Sequence, residues 1–414
     1  MLIRRLAEDF AVTEHLADDF AMALEPVGSP NAQARFAIFR IRKTSVTTPD
    51  ACAAISRELR CSSDNISYGG LKDRHAVCVQ HVSVKLDGAG VMTVRDRRLP
   101  TKLDIELGEL TRVQARLIGT SAQPMTAKDI KHNSFVIVIR RCNDENLANM
   151  AQRAELLAGA ITGPAAAATG RELVFTNAFG TQRFGSNRHG AGWVAEAIAA
   201  GDYERALKLS IGTPSRKDSG AMRNLLRDAA ERWGQWSTLA RLHGTLAEGS
   251  PFVALAAGKD FAQAYGTLPR FLRHLHLDAY ASLQWNQLVL ARLEKLSAGS
   301  DSGPHFVRAD DDFGPIIMPT AQGWREHAEL AALRSWAPLV PEAVAAGGGT
   351  AKAEIDGEFA FGRPRAAFAV ASGFVMADPV ADAVEGPRFA QLAVSFNLPP
   401  GSFATVLLRG LGQS

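Results

Sequence analysis

Cysteine is scarce in this chain. Cys52, Cys61, Cys78 and Cys142 contain no C-x-x-C pair and are too few to staple 414 residues, so they read as reduced thiols of a cytoplasmic protein. No uninterrupted apolar run approaches the roughly 20 residues that span a bilayer, and the start Met1-Leu2-Ile3-Arg4-Arg5 lacks the apolar segment of an export signal. Neither a membrane nor secretion is indicated. The ten histidines make no metal box: His274 and His276 stand two apart without a third ligand nearby in sequence. Neither a phosphate-cradling G-x-x-x-x-G-K-[ST] loop, nor a dinucleotide glycine fingerprint, nor a zinc-deaminase signature occurs, which weighs against other nucleotide-handling enzymes. Neither a metal nor a cofactor is therefore expected. No repeat recurs at a fixed period, and 36 glycines with 19 prolines are ordinary, so fibrous and low-complexity classes are excluded. Charge of one sign is also lacking: a formal +3 neither requires nor excludes a nucleic-acid partner.

What is present is enough apolar residue, 46%, to bury two cores, and the length suggests two domains. The first part reads as mixed α and β. Phe36 to Lys43 is a strand; Thr48 is the expected N-cap of a helix with Pro49 at its first position, and Cys52, Ile55 and Leu59 form its apolar face. Strands are also expected at Asn65 to Tyr68, from Val77 to Val84, at Leu110 to Leu117 and at Phe135 to Arg140. From about residue 190 the composition shifts to Ala and Leu with helical spacing, as in Tyr203 to Leu209 and Tyr280 to Leu296, and all six tryptophans lie at or after Trp193. Beyond a glycine spacer, Gly347-Gly348-Gly349, β-like alternation returns from Ala366 and ends on Thr405-Val406-Leu407-Leu408. The simplest architecture is an α+β domain, residues 1–189 and 363–414, whose sheet is completed by both chain ends, with a mainly helical insertion at 190–362.

The chemistry concentrates in Tyr68-Gly69-Gly70-Leu71-Lys72-Asp73-Arg74-His75-Ala76. A carboxylate stands between two cations after a glycine pair; Lys72 and Arg74 would favour its ionised form and could hold phosphate, and the glycines permit left-handed or tightly turned backbone and close approach of a large substrate. An Asp beside Gly and Lys is most often a solvated turn residue. Its company argues otherwise. Glu8-Asp9-Phe10-Ala11-Val12-Thr13-Glu14, Asn177-Ala178-Phe179-Gly180-Thr181-Gln182-Arg183-Phe184-Gly185 and Leu398-Pro399-Pro400-Gly401-Ser402-Phe403-Ala404-Thr405 join it in that order. The set resembles the TruD family of tRNA pseudouridine synthases nearly end to end. It is weakest in the helical part, where Tyr280 to Gln287 is similar to a family motif with Trp285 in place of Phe.

The resemblance implies a pseudouridine-synthase catalytic domain with a mixed or antiparallel sheet, a TRUD-type insertion, and isomerisation of uridine in tRNA, uridine 13 of the D-arm being the principal bacterial target. It implies Asp73 as the catalytic carboxylate, Arg4 as its basic partner, and Phe179 as the aromatic that stacks on the base. Asn177 would meet the base edge or sugar, Gly180 would allow close backbone approach, and Phe10 would lie near the pocket. Lys72, Arg74 and Arg183 are candidate phosphate contacts. So are the basic runs Arg95, Arg97, Arg98 and Lys102; Arg140 and Arg141; and Arg216, Lys217, Arg223 and Arg227, each of which taken singly reads as a solvated face. Ala178, where Tyr is common, and Gly410, where an acid is usual, depart from the pattern without removing a group the chemistry needs. A monomer binding tRNA is expected; the alternatives are an inactive RNA-binding protein of the same fold and a synthase acting on another RNA.

Overall fold

The computed structural model describes every residue except 28–32, 159–170, 185–189, 215–219, 299–304, 331–353, 356–357, 360–364 and 414. Arg216, Lys217, Gly185 and the Gly347 to Gly349 spacer lie outside the described residues. The frame is an 11-stranded sheet built from both chain ends. Its main strands are β1 (Phe10–Leu16), β2 (Phe36–Thr44), β3 (Ile66–Tyr68), β4 (Val77–Lys85), β5 (Lys102–Gly108), β6 (Thr111–Ser121), β7 (Ile130–Cys142), β8 (Arg171–Thr176), β9 (Phe368–Met376) and β10 (Gly386–Leu398). They run in the order β8-β9-β10-β7-β1-β4-β2-β6-β5, with β3 attached to β4 and Val380–Asp382 to β10. β1 and β4 pair in parallel, whereas β1–β7, β2–β4, β2–β6 and β10–β7 are antiparallel. The molecule is thus α+β, with C-terminal strands inserted beside N-terminal ones.

Alternation decides which face is covered. Phe39, Ile41, Val82, Val84, Val113 and Ala115 share a core with Cys52 and Ile55 of helix α1 (Thr48–Glu58) and with Leu59, which caps its C-terminus. On the other half, Phe10, Val12, Phe135, Ile137, Val394 and Phe396 share one with Met150 and Leu157 of α2 (Asp144–Leu157). The helices Val194–Ala199, Tyr203–Ile211, Gly220–Glu231, Trp236–His243, Ser250–Ala256 and Phe261–Gly266 enclose a further core around Leu207, Leu225, Leu239 and Phe252. The long helix α3 (Arg270–Ala298) joins the two regions. Its Leu277 belongs to the helical core, whereas Trp285, Val289 and Leu293 pack with Val174, Ile317 and Phe368 beside the sheet.

Two local expectations are corrected. The cap of α1 is Thr47, which accepts from the Asp50 backbone N–H, and Thr48 is the first helical residue. The terminal apolar run is not a strand: α4 (Ala404–Gly410) is helical, with Ala404, Val406, Leu407 and Leu408 all buried. A continuous apolar run carries no period to separate the two conformations. Gly401, at φ 81°, makes the turn that ends the strand.

Candidate active site

Asp73 lies on the loop between β3 and β4, and that loop is pinned at several points. At Gly69 an added Cβ would come within 2.7 Å of Ile130 and 3.0 Å of the Thr126 carbonyl, so close passage against β7 demands glycine there. Neither Gly69 nor Gly70 has positive φ, so of the two backbone alternatives the left-handed one is not used; a Cβ at Gly70 would meet nothing nearer than Lys72 Nζ at 4.0 Å. The buried Thr48 hydroxyl accepts from the Lys72 backbone N–H at 3.0 Å and donates to Gln80 at 2.9 Å. Lys43, wholly buried on β2, donates from Nζ to the carbonyls of Asp73 at 2.6 Å and Val46 at 2.8 Å. Burial holds the Lys43 pKa below its ordinary value, opposed by Cys78 and Asp73. Sequence reasoning took Lys43 only as the end of a strand. A cation on the covered face of an otherwise apolar strand was the available signal.

Arg4 Nη2 meets Asp73 Oδ1 at 3.0 Å, the two side chains being 19% and 18% exposed. Arg4 holds a left-handed φ of 61° and lays its guanidinium 4.1 Å from the centroid of Phe10, while its buried Nε finds no hydrogen-bond partner among the described residues. Non-glycine residues in that backbone region store strain and gather at functional sites. Phe10 itself is 1% exposed and packs edge-on against Phe135, so it forms the floor under Arg4.

Lys72 behaves differently from expectation. Its Nζ lies 2.6 Å from Oε2 of Glu14, both side chains buried, so its charge is committed across β1 and β4 rather than to Asp73 or to phosphate. Burial alone would raise the Glu14 pKa. The hydrogen bond from His81 and the charge and hydrogen bond of Lys72 overcome it and leave the carboxyl below its ordinary value. Arg74 is exposed and has no carboxylate partner among the described residues.

A second group forms where β8 and β10 end. Asn177 is buried; its amide donates to the Ala366 carbonyl at 3.1 Å, and its Oδ1 accepts from Arg365 at 2.8 Å. Arg365 also donates to the Asn177 carbonyl and to Gly401, each at 2.8 Å, and its guanidinium sits 3.9 Å from the Phe179 ring centroid. Trp285 and Phe403 flank the same ring at 5.7 and 5.9 Å. Burial draws the Arg365 pKa down to about 9, Arg183 adding repulsion. Asn286 clamps the Phe179 backbone in both directions, accepting from its N–H at 2.8 Å and donating to its carbonyl at 2.9 Å. At Gly180 a Cβ would touch Thr405 Oγ1 at 3.0 Å, so its close approach is to the start of α4. Arg183, expected at phosphate, pairs with Asp278 at 3.0 Å and donates to Ser282 at 3.1 Å on α3. Arg140 is likewise spent: it is buried between Asp9 and Asp382, at 2.7 and 3.0 Å, and forms no basic track. Arg365 was missed because nothing in its neighbourhood of the sequence marks it.

The two groups stand on one apolar cluster that includes Phe10, Cys78, Ala178 and Ala404. No helix among the described residues is long and apolar enough to cross a membrane, and no group of three or more potential metal ligands occurs among them.

The family model for tRNA pseudouridine synthase D (TruD) matches residues 1–303. The tRNA pseudouridine synthase D of Aquifex aeolicus is 26% identical over 394 residues, covering 91% of each chain. A probable tRNA pseudouridine synthase D of Halobacterium salinarum is 27% identical over 440 residues, covering 98% of this chain and 92% of its own. The crystal structure of a tRNA pseudouridine synthase D candidate from Methanosarcina mazei superposes with a TM-score of 0.54 at 19% identity, over 99% of this chain and 92% of the other, and so shares the fold. The chain belongs to the TruD family of tRNA pseudouridine synthases, which are isomerases.

Proposed function

We propose that the protein isomerises uridine 13 in the D-arm of tRNA, in the cytoplasm, with Asp73 as the catalytic carboxylate and Arg4 as the cation that aims it. The observation that carries this reading is the 3.0 Å contact between Arg4 and Asp73, on a loop held by Lys43 and Thr48. In the reaction the N1–C1′ bond of uridine breaks, the base turns, and a C5–C1′ bond forms. The proton leaves C5 and one is taken up at N1, so no oxidant, metal or cofactor is needed. An ionised carboxylate beside the sugar serves as nucleophile or base, and a dry pocket retains the freed uracil. Phe179 supplies a stacking surface and Asn177 the hydrogen bonds to the base edge, both at present engaged by Arg365. Arg365 must therefore yield that face, or the base must take the opposite one. Arg74 contacts phosphate. A stacked uridine has to be turned outward to reach Asp73, and backbone contacts offset the unstacking.

Residues 190–362 form an inserted unit that contributes RNA contacts rather than chemistry, and the protein acts as a monomer. The test is tritium release from tRNA labelled at uridine C5, with pseudouridine mapped by position. No release from wild type, or release from a site other than 13, overturns the activity or the target respectively.

A further inference from the structure

The face of the sheet turned away from Asp73 carries an unbalanced row of cations. Glu14 and Lys43, which bind the Asp73 loop, and Gln80, which binds Thr48 beneath it, alternate along their strands with His15, Arg40 and Arg42, which therefore point to the opposite side; His81 shares that alternation, but its buried ring stays 3.2 Å from Glu14. Register aligns these residues across strands. Lys102 of β5 is opposite Arg116 of β6, Arg116 is opposite Arg40 of β2, and Arg40 is opposite His81 of β4. Continuing the β1–β4 register by two residues brings His81 beside His15, which is opposite His132 of β7. Arg42 stands one step along, opposite Gln114. Lys102, Arg116 and Arg40 thus cross three adjacent strands, about 10 Å at the usual strand spacing of about 4.8 Å, and the histidine positions continue the line over β4, β1 and β7.

Lys102, Arg116, Arg40 and Arg42 are exposed, and none has a carboxylate partner among the described residues. The acids of this face stand at its margins: Asp104 is engaged by Arg112, Glu106 lies opposite Arg112, and Asp18 pairs with Lys131. The imidazoles of His15 and His132 stack at 4.4 Å, and His15 Nε2 meets Ser134 Oγ at 2.8 Å. Burial is the main cause that holds both below the ordinary histidine value, with His81 and Arg40 adding repulsion at His15. Like charges directly opposite one another on neighbouring strands are destabilising. A fold that only needed solubility would intersperse acids here.

We propose that this cation row docks the phosphodiester backbone of the substrate RNA at a distance from the target nucleotide. It rests on tRNA as substrate but not on the role assigned to Asp73. A polyanion neutralises the row, and release of its counterions makes binding steeply salt-dependent. Direct contact with phosphate also explains why exposed arginines occupy consecutive outward positions on β2, with Arg112 and Arg116 on β6 beside them.

The test is tRNA binding by the full chain over a range of KCl concentrations, comparing wild type with Lys102→Gln, Arg40→Gln, Arg42→Gln and Arg116→Gln combined. The slope of log affinity against log salt is expected to fall by roughly 1 for each phosphate no longer neutralised, about 3 to 4 in all. The single-turnover rate at saturating tRNA should hold, and the melting temperature should be equal or higher because opposed like charges are removed. An unchanged slope overturns the proposal. So does a rate at saturation that collapses with the affinity, since the row would then belong to the chemistry. Asp73→Asn, with the row intact, should keep the wild-type slope, so a failure of the catalytic reading and a failure of the docking surface give different results.

Discussion

The two halves of the candidate site are built in opposite ways. The Asp73 half is assembled by neighbouring elements: Lys43 of β2 and Thr48 of α1 are bonded to the loop, and Gln80 of β4 fixes the Thr48 hydroxyl behind it. The Phe179 half draws on Asn177, α3, Arg365 and the Gly401 turn, segments far apart in the chain. The first is polar and held by directed hydrogen bonds; the second is aromatic around one enclosed guanidinium. A preorganised carboxylate needs fixed geometry. A surface that must accept a base needs a partner able to leave, and cation-over-ring contacts are weak enough, about 0.5 to 2 kcal/mol, to be exchanged.

The largest expected effect sharpens the first half. Asp73→Asn keeps the shape and removes the ionised oxygen, so turnover should fall by about 10³-fold or more while RNA affinity stays within a few-fold. Tritium release and filter binding measure the two separately, and turnover near wild type would take Asp73 out of the reaction. Next is Lys72→Met, which strands a buried carboxylate. Removing one partner of such a pair costs about 3–5 kcal/mol, read by urea unfolding at pH 7. The Glu14 carboxyl is depressed in the folded protein, so the stability it contributes is present above its ordinary value of 4.5 and is lost as pH falls through the folded value. In the Met variant the deficit should shrink as pH approaches 4.5, because the stranded carboxyl takes up a proton. A deficit independent of pH would mean that Lys72 acts through packing.

Much of the first half was legible in the sequence because it is local. Strands β2, β4 and β7 announced themselves by β-branched residues, and the Gly-Gly-x-Lys-Asp segment marked the loop. What failed there failed for tertiary reasons. The Lys72 side chain turns to Glu14 because β1 lies parallel beside β4, a pairing that no spacing reveals. Thr47 and Thr48 are equally good caps by composition, and only the buried Gln80 decides which hydroxyl is spent inward. The second half was legible in its motif residues and illegible in its organiser: Arg365 reaches Asn177 across the whole helical region. The face bearing Arg40 and Arg116 was equally hidden, since its charges come together only through strand register.

Arg365 offers the sharper test of the second half. Three acceptors around one guanidinium suit its fork of donors and not an ammonium, so Arg365→Lys should do no better than Arg365→Met. Each should lower turnover by about 10- to 100-fold, equivalent to about 1.4 to 2.7 kcal/mol. Its action is to position Asn177 and Phe179. Rescue by lysine to wild-type turnover would reduce Arg365 to a point charge.

The smallest effect is expected at Phe179, and it can break the comparison outright. If the ring stacks on uracil, Phe179→Ala should lose about 1 to 3 kcal/mol of transition-state binding, read as kcat/KM, whereas Phe179→Tyr keeps the π-face and most of the rate. If the ring only supports Arg365, the alanine variant should melt several degrees lower and turn over normally at a temperature where it is folded. A double-mutant cycle separates these cases. Residues that touch at 3.9 Å are expected to couple, so Phe179→Ala with Arg365→Met should be less damaging than the sum of the two singles. Strict additivity in kcat/KM would show that ring and guanidinium act on the substrate independently, and the second half of the site would then be two contacts rather than one.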